Sequence, residues 1–503
     1  MRKKLFNVAL AGLICAILGG CGDGSNNTNE SEGKKEIVVG IQQDLDSLDP
    51  HLATAAGTKE VLFNIFEGLV KVNENGELVE AVASDYKISE DGSKYTFTIR
   101  DNVKFHNGET VTAEDVKYSI ERNAGLLEDS ELLVSAFSII DSVNILDSST
   151  VEVVLSEPDT ELISYMTVAI VPKDYTEQNT SPVGTGPFKF TSYTPAESFV
   201  MEKNTDYWGT APYLSKVTFK IVTNAASAVV ELQAGSIDIY PYLTMDQADQ
   251  LGNDFDILYG NTNLVQGLYL NNEFEPFDNV KVRQALYYAV DRQEILDIVA
   301  GGHGTIVGSF MYPGYGRYYN DLSDKYSKNI EKAKALLDEA GYENGFEFTV
   351  KVPANYQVHM DTALVIKDQL KEIGVTMNID GIEWTSWLTD VYNNREFEAT
   401  IIGFDSNLAP KDIMRRYVSD NSRNMCNFNN AEYDELYESA IATTDDAVKI
   451  KEYQRMQEIL ADEAASIFIA DPATLVAVSK KLTGYTFYPI YVQDMSKVKF
   501  VSE

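Results

Sequence analysis

Three cysteines and four histidines in 503 residues are too few for most of the chemistry those side chains carry. No C-x-x-C pair and no H-E-x-x-H motif occurs, and His51, His106, His303 and His359 stand without metal-ligand spacing. A G-x-S-x-G elbow and a P-loop are missing as well. The segment GGHGTIVG comes near a glycine-rich phosphate loop, but its spacing is wrong, and it reads as a turn after a helix over 281–299. Positive charge is also scarce. Lys and Arg number 41 against 77 Asp and Glu, a net charge of −36, so no basic stripe is left for nucleic acid. The acidity reads as a solubilising surface. These absences point to a protein that is not an enzyme and has no metal or cofactor of its own.

Long apolar runs are absent apart from one near the start. Arg2, Lys3 and Lys4 precede the stretch from Leu5 to Leu18, which is short for a bilayer span and has the plan of a signal peptide. Its end, Leu18-Gly19-Gly20-Cys21, resembles a bacterial lipobox, in which the cysteine is lipidated and becomes the new N-terminus. Removing residues 1–20 takes away three positive charges and shifts the net charge from −36 to −39. Cys15 leaves with the leader and Cys21 carries lipid, so Cys426 has no partner for an internal disulfide. Residues 21–35 lack large apolar side chains and read as a flexible tether to the membrane.

The material of a core is plentiful, with 44% hydrophobic and 11% aromatic residues in the whole chain, enough for two or three lobes. EIVVGI (36–41) reads as a buried strand. Val61, Leu62, Ile65, Phe66 and Leu69 fall at helical spacing over 58–70. Asp91-Gly92 and Asn107-Gly108 are hairpin signals, and Tyr95, Phe97 and Ile99 alternate as a half-buried strand. Thr112 with Asp115 forms a capping box at the head of a helix. Further on, helices over 328–340 and 361–373, each ended by glycine, alternate with strands at 346–352, 375–379 and 398–404. That alternation is the pattern of an α/β lobe with a largely parallel sheet. Amphipathic helices over 431–441 and 448–461 precede a strand, ASIFIA (465–470), which Pro472 is expected to close.

Several long blocks carry a resemblance. SEDGSKYTFTIRDNVKFHNGETVTAEDVKYSIERN, PVGTGPFKFTSYTPAESFVMEKNTDYW (182–208), ELQAGSIDI (231–239) and FDNVKVRQALYYAVDRQEI (277–295) resemble, in this order, the extracytoplasmic solute-binding proteins of family 5. That family includes the oligopeptide-, dipeptide- and nickel-binding lipoproteins of bacterial ABC importers. The resemblance covers nearly all of residues 36–500. It implies an α/β fold of the periplasmic-binding-protein-like type II (class C), with lobes joined by a hinge and a ligand cleft between them. It also implies a division into lobe I (36–78, 185–272 and 472–503), lobe II (79–184) and lobe III (273–471). The two crossings between lobes are expected after the strand 265–270 and near Pro472. A monomer that captures a peptide and hands it to ABC permease subunits, while tethered to the cell membrane through Cys21, is the implied function.

The resemblance also places a pocket. Asp405, after the strand 398–404, matches the aspartate that holds the peptide α-amino group in peptide-binding members, and Gly403 and Phe404 belong to the same segment. Ala409 stands where the family has a second aspartate. Trp384 and Trp387 lie in a block that lines the pocket in relatives, with core packing as the competing role, above all for Trp387. Tyr269 and Asn271, at the expected lobe junction, are further candidates. Dipeptide-binding relatives pair the ligand carboxylate with an arginine in the loop after the strand 346–352. Here that loop reads VPANYQVH, so an oligopeptide is favoured over a dipeptide. A metal chelate such as a nickel complex, or an oligosaccharide stacked on the tryptophans, is the alternative cargo. A surface peptide hydrolase or a sensory receptor is the alternative of a different class.

Overall fold

One strand organises the fold. Ile467–Ser479 runs for 13 residues through the middle of a 12-stranded sheet and changes partners along its length. Its first part, Ile467 to Ala470, pairs with Val265–Leu270. Its last part pairs with Phe255–Asn261 and with Ile239–Leu243. The computed structural model describes residues 35–501 apart from 129, 406 and 407. The leader, Cys21 and all but the last residue of the tether lie outside the described residues.

On one side of this strand the sheet continues through Ile239–Leu243, Glu36–Ile41, Lys216–Ile221, Ser198–Lys203 and Phe188–Thr194. Glu36–Ile41 is parallel to Lys216–Ile221 over all six residues. Its buried Ile37, Val39 and Ile41 join Phe199, Met201, Val217 and Phe219 in one core. We assign this half, built from three separated stretches of chain, to the first lobe. On the other side the sheet continues through Val265–Leu270, Ala399–Phe404, Glu347–Pro353 and Thr376–Ile382. The last three are mutually parallel. Helices Val280–Ala289 and Gln357–Leu370 contribute Leu286, Ala363 and Ile366 to a core over this half, the third lobe. A separate antiparallel sheet, in the order Ala83–Ile88, Lys94–Ile99, Thr150–Leu155 and Ile140–Asp147, makes the second lobe.

Local chemistry explains most of these elements. Tyr95, Phe97 and Ile99 turn inward, and Gly92 takes the φ of +68° that the turn before them requires. The Thr112 side chain accepts from the Asp115 amide while the Asp115 carboxylate accepts from the Thr112 amide, the expected capping box.

Three expectations are corrected. The first helix ends at Leu62 rather than 70. A Cβ on Gly68 would lie 2.4 Å from the Met166 carbonyl, so the chain there turns and packs backbone against backbone. Pro472 does not close its strand. It sits where the strand changes partner, needs no N–H there, and its carbonyl accepts from the Thr262 amide (3.0 Å) and hydroxyl (2.8 Å). Lastly, Val265–Leu270 belongs to the third-lobe half of the sheet, paired throughout with Ala399–Phe404. The crossing therefore falls at 262–264, before this strand and not after it.

Candidate functional site

Asp405 comes directly after the strand Ala399–Phe404, at the end of the third-lobe sheet next to the crossing. It is exposed, and its carboxylate takes part in no hydrogen bond among the described residues. The charge of Asp405 reaches two tyrosine hydroxyls. Burial pushes the hydroxyls of Tyr312 and Tyr491 well above their ordinary pKa, and the negative charges of Asp405 and Asp471 push both further. Tyr491 belongs to the C-terminal stretch and Tyr312 to the segment before the turn Pro313–Tyr318. Tyr356 also lies in the field of Tyr491 and sets its ring edge-on to Trp384 at 5.4 Å. Tyr356 and Trp384 thus pack together, while Asp405 acts on Tyr312 and Tyr491 through its charge.

The crossing itself is fastened by Asp471. Its Oδ1 accepts from the Thr262 hydroxyl (3.0 Å), the Asn263 amide (2.9 Å) and the Leu264 amide (3.3 Å). Its Oδ2 is buried and has no hydrogen-bond partner. Burial lifts this carboxyl to about 7, against the lowering effect of those hydrogen bonds. The two chain segments that pass between the lobes are therefore tied to each other by one carboxylate.

A second contact between lobes lies away from the crossing. The loop Asp159–Glu161 of the second lobe docks on the third-lobe helices Pro410–Met414, Ala431–Ala442 and Asp446–Asp462. The Lys411 ammonium pairs with Asp159, the Lys411 amide donates to Glu161 at 2.9 Å, and the Tyr453 hydroxyl donates to Glu161. Lys449 donates to the Thr160 hydroxyl, and Tyr165 donates to Asp412. Burial raises the Glu161 carboxyl above its ordinary pKa and lowers Lys449, while their mutual attraction opposes both shifts.

The remaining sequence candidates separate. Trp384 is half-buried and stacks on Trp387 at 5.1 Å. Trp387 is a core residue, 2% exposed, with its indole N–H on the Thr400 hydroxyl at 2.9 Å. Phe404 is mostly buried among Tyr269, Phe310 and Tyr392. The side of Gly403 is filled by Leu264, whose Cδ1 would be 2.6 Å from a Cβ there, so Gly403 serves packing. Tyr269 does not reach the cleft: it is buried and donates to the Val265 carbonyl of its own strand at 2.7 Å. Asn271 sits at the opposite end of the sheet from Asp405, donates to the Phe397 carbonyl (2.9 Å) and accepts from Asn427 (3.0 Å). Both are removed from the candidate pocket. Sequence reasoning missed Tyr312, Tyr356, Tyr491 and Asp471, which come from separate stretches of the chain with no shared motif. Cys426 is buried and unpaired, its thiol pushed up to about 12 by burial.

A two-part sheet with two strand crossings, and an accessible carboxylate at the junction, defines the class as a hinged type II solute-binding fold. The chain belongs to the bacterial extracellular solute-binding proteins, family 5, whose profile matches residues 77–425. Among curated relatives it is 28% identical to the oligopeptide-binding protein AppA of Bacillus subtilis, over 97% of each chain. Among solved structures it is similar to B. subtilis AppA in complex with a nonapeptide, at 26% identity and a TM-score of 0.71, covering 93% of this chain and 99% of that one. It is also similar to the unliganded open form of MppA, a periplasmic murein tripeptide-binding protein. There the identity is 25% and the TM-score 0.83, covering 94% of this chain and 98% of that one.

Proposed function

We propose that this protein is a membrane-tethered receptor that captures a peptide between its first and third lobes and delivers it to the permease of an ABC importer. The observation that carries the reading is Asp405, an exposed carboxylate directly after the strand Ala399–Phe404 that makes no hydrogen bond among the described residues and whose charge reaches Tyr312 and Tyr491. A peptide ammonium entering this place finds a charge partner and loses little by leaving water. Relatives named for oligopeptide, nonapeptide and tripeptide binding support the same solute class. The absence of arginine from residues 353–359 favours a longer peptide over a dipeptide. At near-equal identity, superposition is closer on the unliganded open relative than on the nonapeptide complex. This supports reading the present conformation as the open member of a hinged pair, with solute contacts to both lobes driving closure.

The protein acts as a captor and not as an enzyme, and its leader supplies the address. Lipid on Cys21 holds it at the membrane and raises its concentration near the permease. Cys21→Ala is expected to leave an uncleaved precursor or to release the protein; a mature-sized, membrane-bound variant would contradict the anchor. Mass spectrometry of solute released from the purified domain tests the cargo. Peptides bearing free amino termini are expected, and a sugar or metal chelate in their place would replace the reading.

A further inference from the structure

Two guanidinium groups of the third lobe converge on a single phenol oxygen. The Tyr392 hydroxyl oxygen accepts from Arg416 Nη1 at 2.7 Å and from Arg423 Nη1 at 2.9 Å. Arg415, the neighbour in sequence, pairs with Asp412 at 3.2 Å. Arg416 and Arg423 make no ion pair among the described residues. The Asp412 carboxylate lies in the field of both guanidiniums, but its ion pair is with Arg415, so neither Arg416 nor Arg423 has a carboxylate in direct contact among the described residues. Arg416 Nε is moreover buried with no hydrogen-bond partner. Burial of the Tyr392 hydroxyl opposes its ionisation, but the attraction of Arg416 and Arg423 outweighs it and draws the group below its ordinary pKa.

The position of the pair is as informative as its charge. Tyr392 stacks on Trp387 at 5.8 Å, and Trp387 stacks in turn on Trp384. The Arg416 guanidinium lies over the Phe404 ring at 4.5 Å, and Asp405 is the next residue after Phe404. Tyr165 of the second lobe bonds Asp412, one helical turn before Arg416. The pair thus lies between the strand end that carries Asp405 and the contact with the second lobe. Arg423 is exposed, and Arg416 and Tyr392 are half-buried, so solvent reaches the group. A guanidinium presents donors in a planar fork that matches a carboxylate, and two of them on a shared support are set for one anion.

We propose that Arg416 and Arg423, held on Tyr392, form a carboxylate-binding site in the cleft, so that the captured solute carries a carboxylate as well as the cationic group taken by Asp405. The pairing with Asp405 rests on the peptide function proposed for the protein; the anion site itself does not. The carboxylate is either the peptide C-terminus or an acidic side chain.

Calorimetry with four tetrapeptides separates these sources: Ala-Ala-Ala-Glu, Ala-Ala-Ala-Gln and the C-terminal amide of each. Wild type is expected to bind the carboxylate-bearing forms roughly tenfold or more tighter than the Gln amide, the scale of a charge-assisted hydrogen bond. In R416Q/R423Q that preference is expected to vanish while the Gln amide binds as in wild type. Loss on amidation identifies the C-terminus, and loss on Glu-to-Gln exchange identifies the side chain. If the double variant does not fold, the exposed-site variant R423Q alone is expected to reduce the preference. A preference that survives substitution, or none in wild type, overturns the site. If no peptide binds, the peptide function fails by itself. Titration with glutarate, read at the Arg side-chain Nε–H resonances by NMR, then decides. A saturable shift assigned to Arg416, absent in R423Q, supports the site, and no shift overturns it.

Discussion

Asp471 and Asn263 meet where the chain passes between the two halves of the large sheet, and the Asp471 carboxylate accepts the Asn263 amide at 2.9 Å. The same oxygen also takes Thr262 and Leu264, while its partner oxygen is buried and unbonded. A hinge fastened in this way depends on the protonation of one group.

The folded-state pKa of Asp471, about 7, lies above the ordinary 3.8. Between these values the folded chain holds a proton that the unfolded chain has lost. Stability is therefore full below about pH 4, falls as the pH rises toward 7, and levels off above it. The loss amounts to about 4 kcal/mol. Asp471→Asn is expected to remove this slope, so that the variant exceeds wild type in thermal midpoint at about pH 8 and converges with it near pH 4. Parallel melting curves for the two proteins across that range would refute the assignment.

Asp405→Asn keeps the shape of the site and removes its charge. It is expected to weaken peptide binding by roughly 2–5 kcal/mol, the range for truncating one partner of a buried charge pair. Folding should hardly change, because the carboxylate supports no internal hydrogen bond among the described residues. N-acetylation of the peptide should do similar damage to wild type. The two changes together should cost less than their sum, as for one shared contact. Calorimetry on this cycle checks it, and additive costs would separate Asp405 from the peptide amine.

The two tryptophans should part company on substitution. Trp387→Phe leaves the Thr400 hydroxyl without its indole donor inside the core and is expected to cost about 1–3 kcal/mol of stability. Trp384→Ala removes a half-buried ring at the cleft and should lower ligand affinity more than it lowers the melting temperature. Denaturant titration beside calorimetry distinguishes them; equal stability losses would make Trp384 a core residue as well.

Glu161 holds the contact between the second and third lobes. Glu161→Ala leaves the Tyr453 hydroxyl without its acceptor and the buried Lys449 ammonium without its nearby counter-charge, and is expected to destabilise by about 3–5 kcal/mol. Asp159→Asn and Lys411→Met, whose side chains are 7% and 14% exposed, should show strong coupling in a double-mutant cycle. Near-zero coupling in urea unfolding would mean that the pair adds nothing to the docking.

The helices and most strands were legible because their signals are local. Thr112 with Asp115, the glycines at 341 and 374 that end their helices, and the alternation at Tyr95, Phe97 and Ile99 each act within a few residues. Asp405 is proposed from the resemblance of IIGFDSNLAP to a family segment, and the structure puts it directly after the strand Ala399–Phe404. Tyr269 was misplaced, because every residue of Val265–Leu270 is buried and such a strand has no polar face to orient it. Asn271 was misplaced for a related reason: the hydrogen bonds that occupy it come from Phe397 and Asn427, far along the chain. Pro472 looked like a terminator, since a sequence does not show which amides a sheet leaves unused. Asp471, in ADPAT, has the outward form of a turn residue, and only the fold brings Thr262 to it. Arg416 and Arg423 likewise meet Tyr392 only once the helices after Phe404 fold back.

The late position of Ile467–Ser479 has a consequence for how the chain is made. The strands on either side of it, Ile239–Leu243 and Val265–Leu270, are synthesised about 200 residues earlier and cannot meet their shared neighbour until the last tenth of the chain exists. Pairing over such separations is slow. Until then the two halves of the large sheet have no common strand to join them. This order of synthesis carries a hazard. A polypeptide ending before residue 467 would leave the four strands that pair with Ile467–Ser479 with unpaired edges, and such edges join to those of other copies.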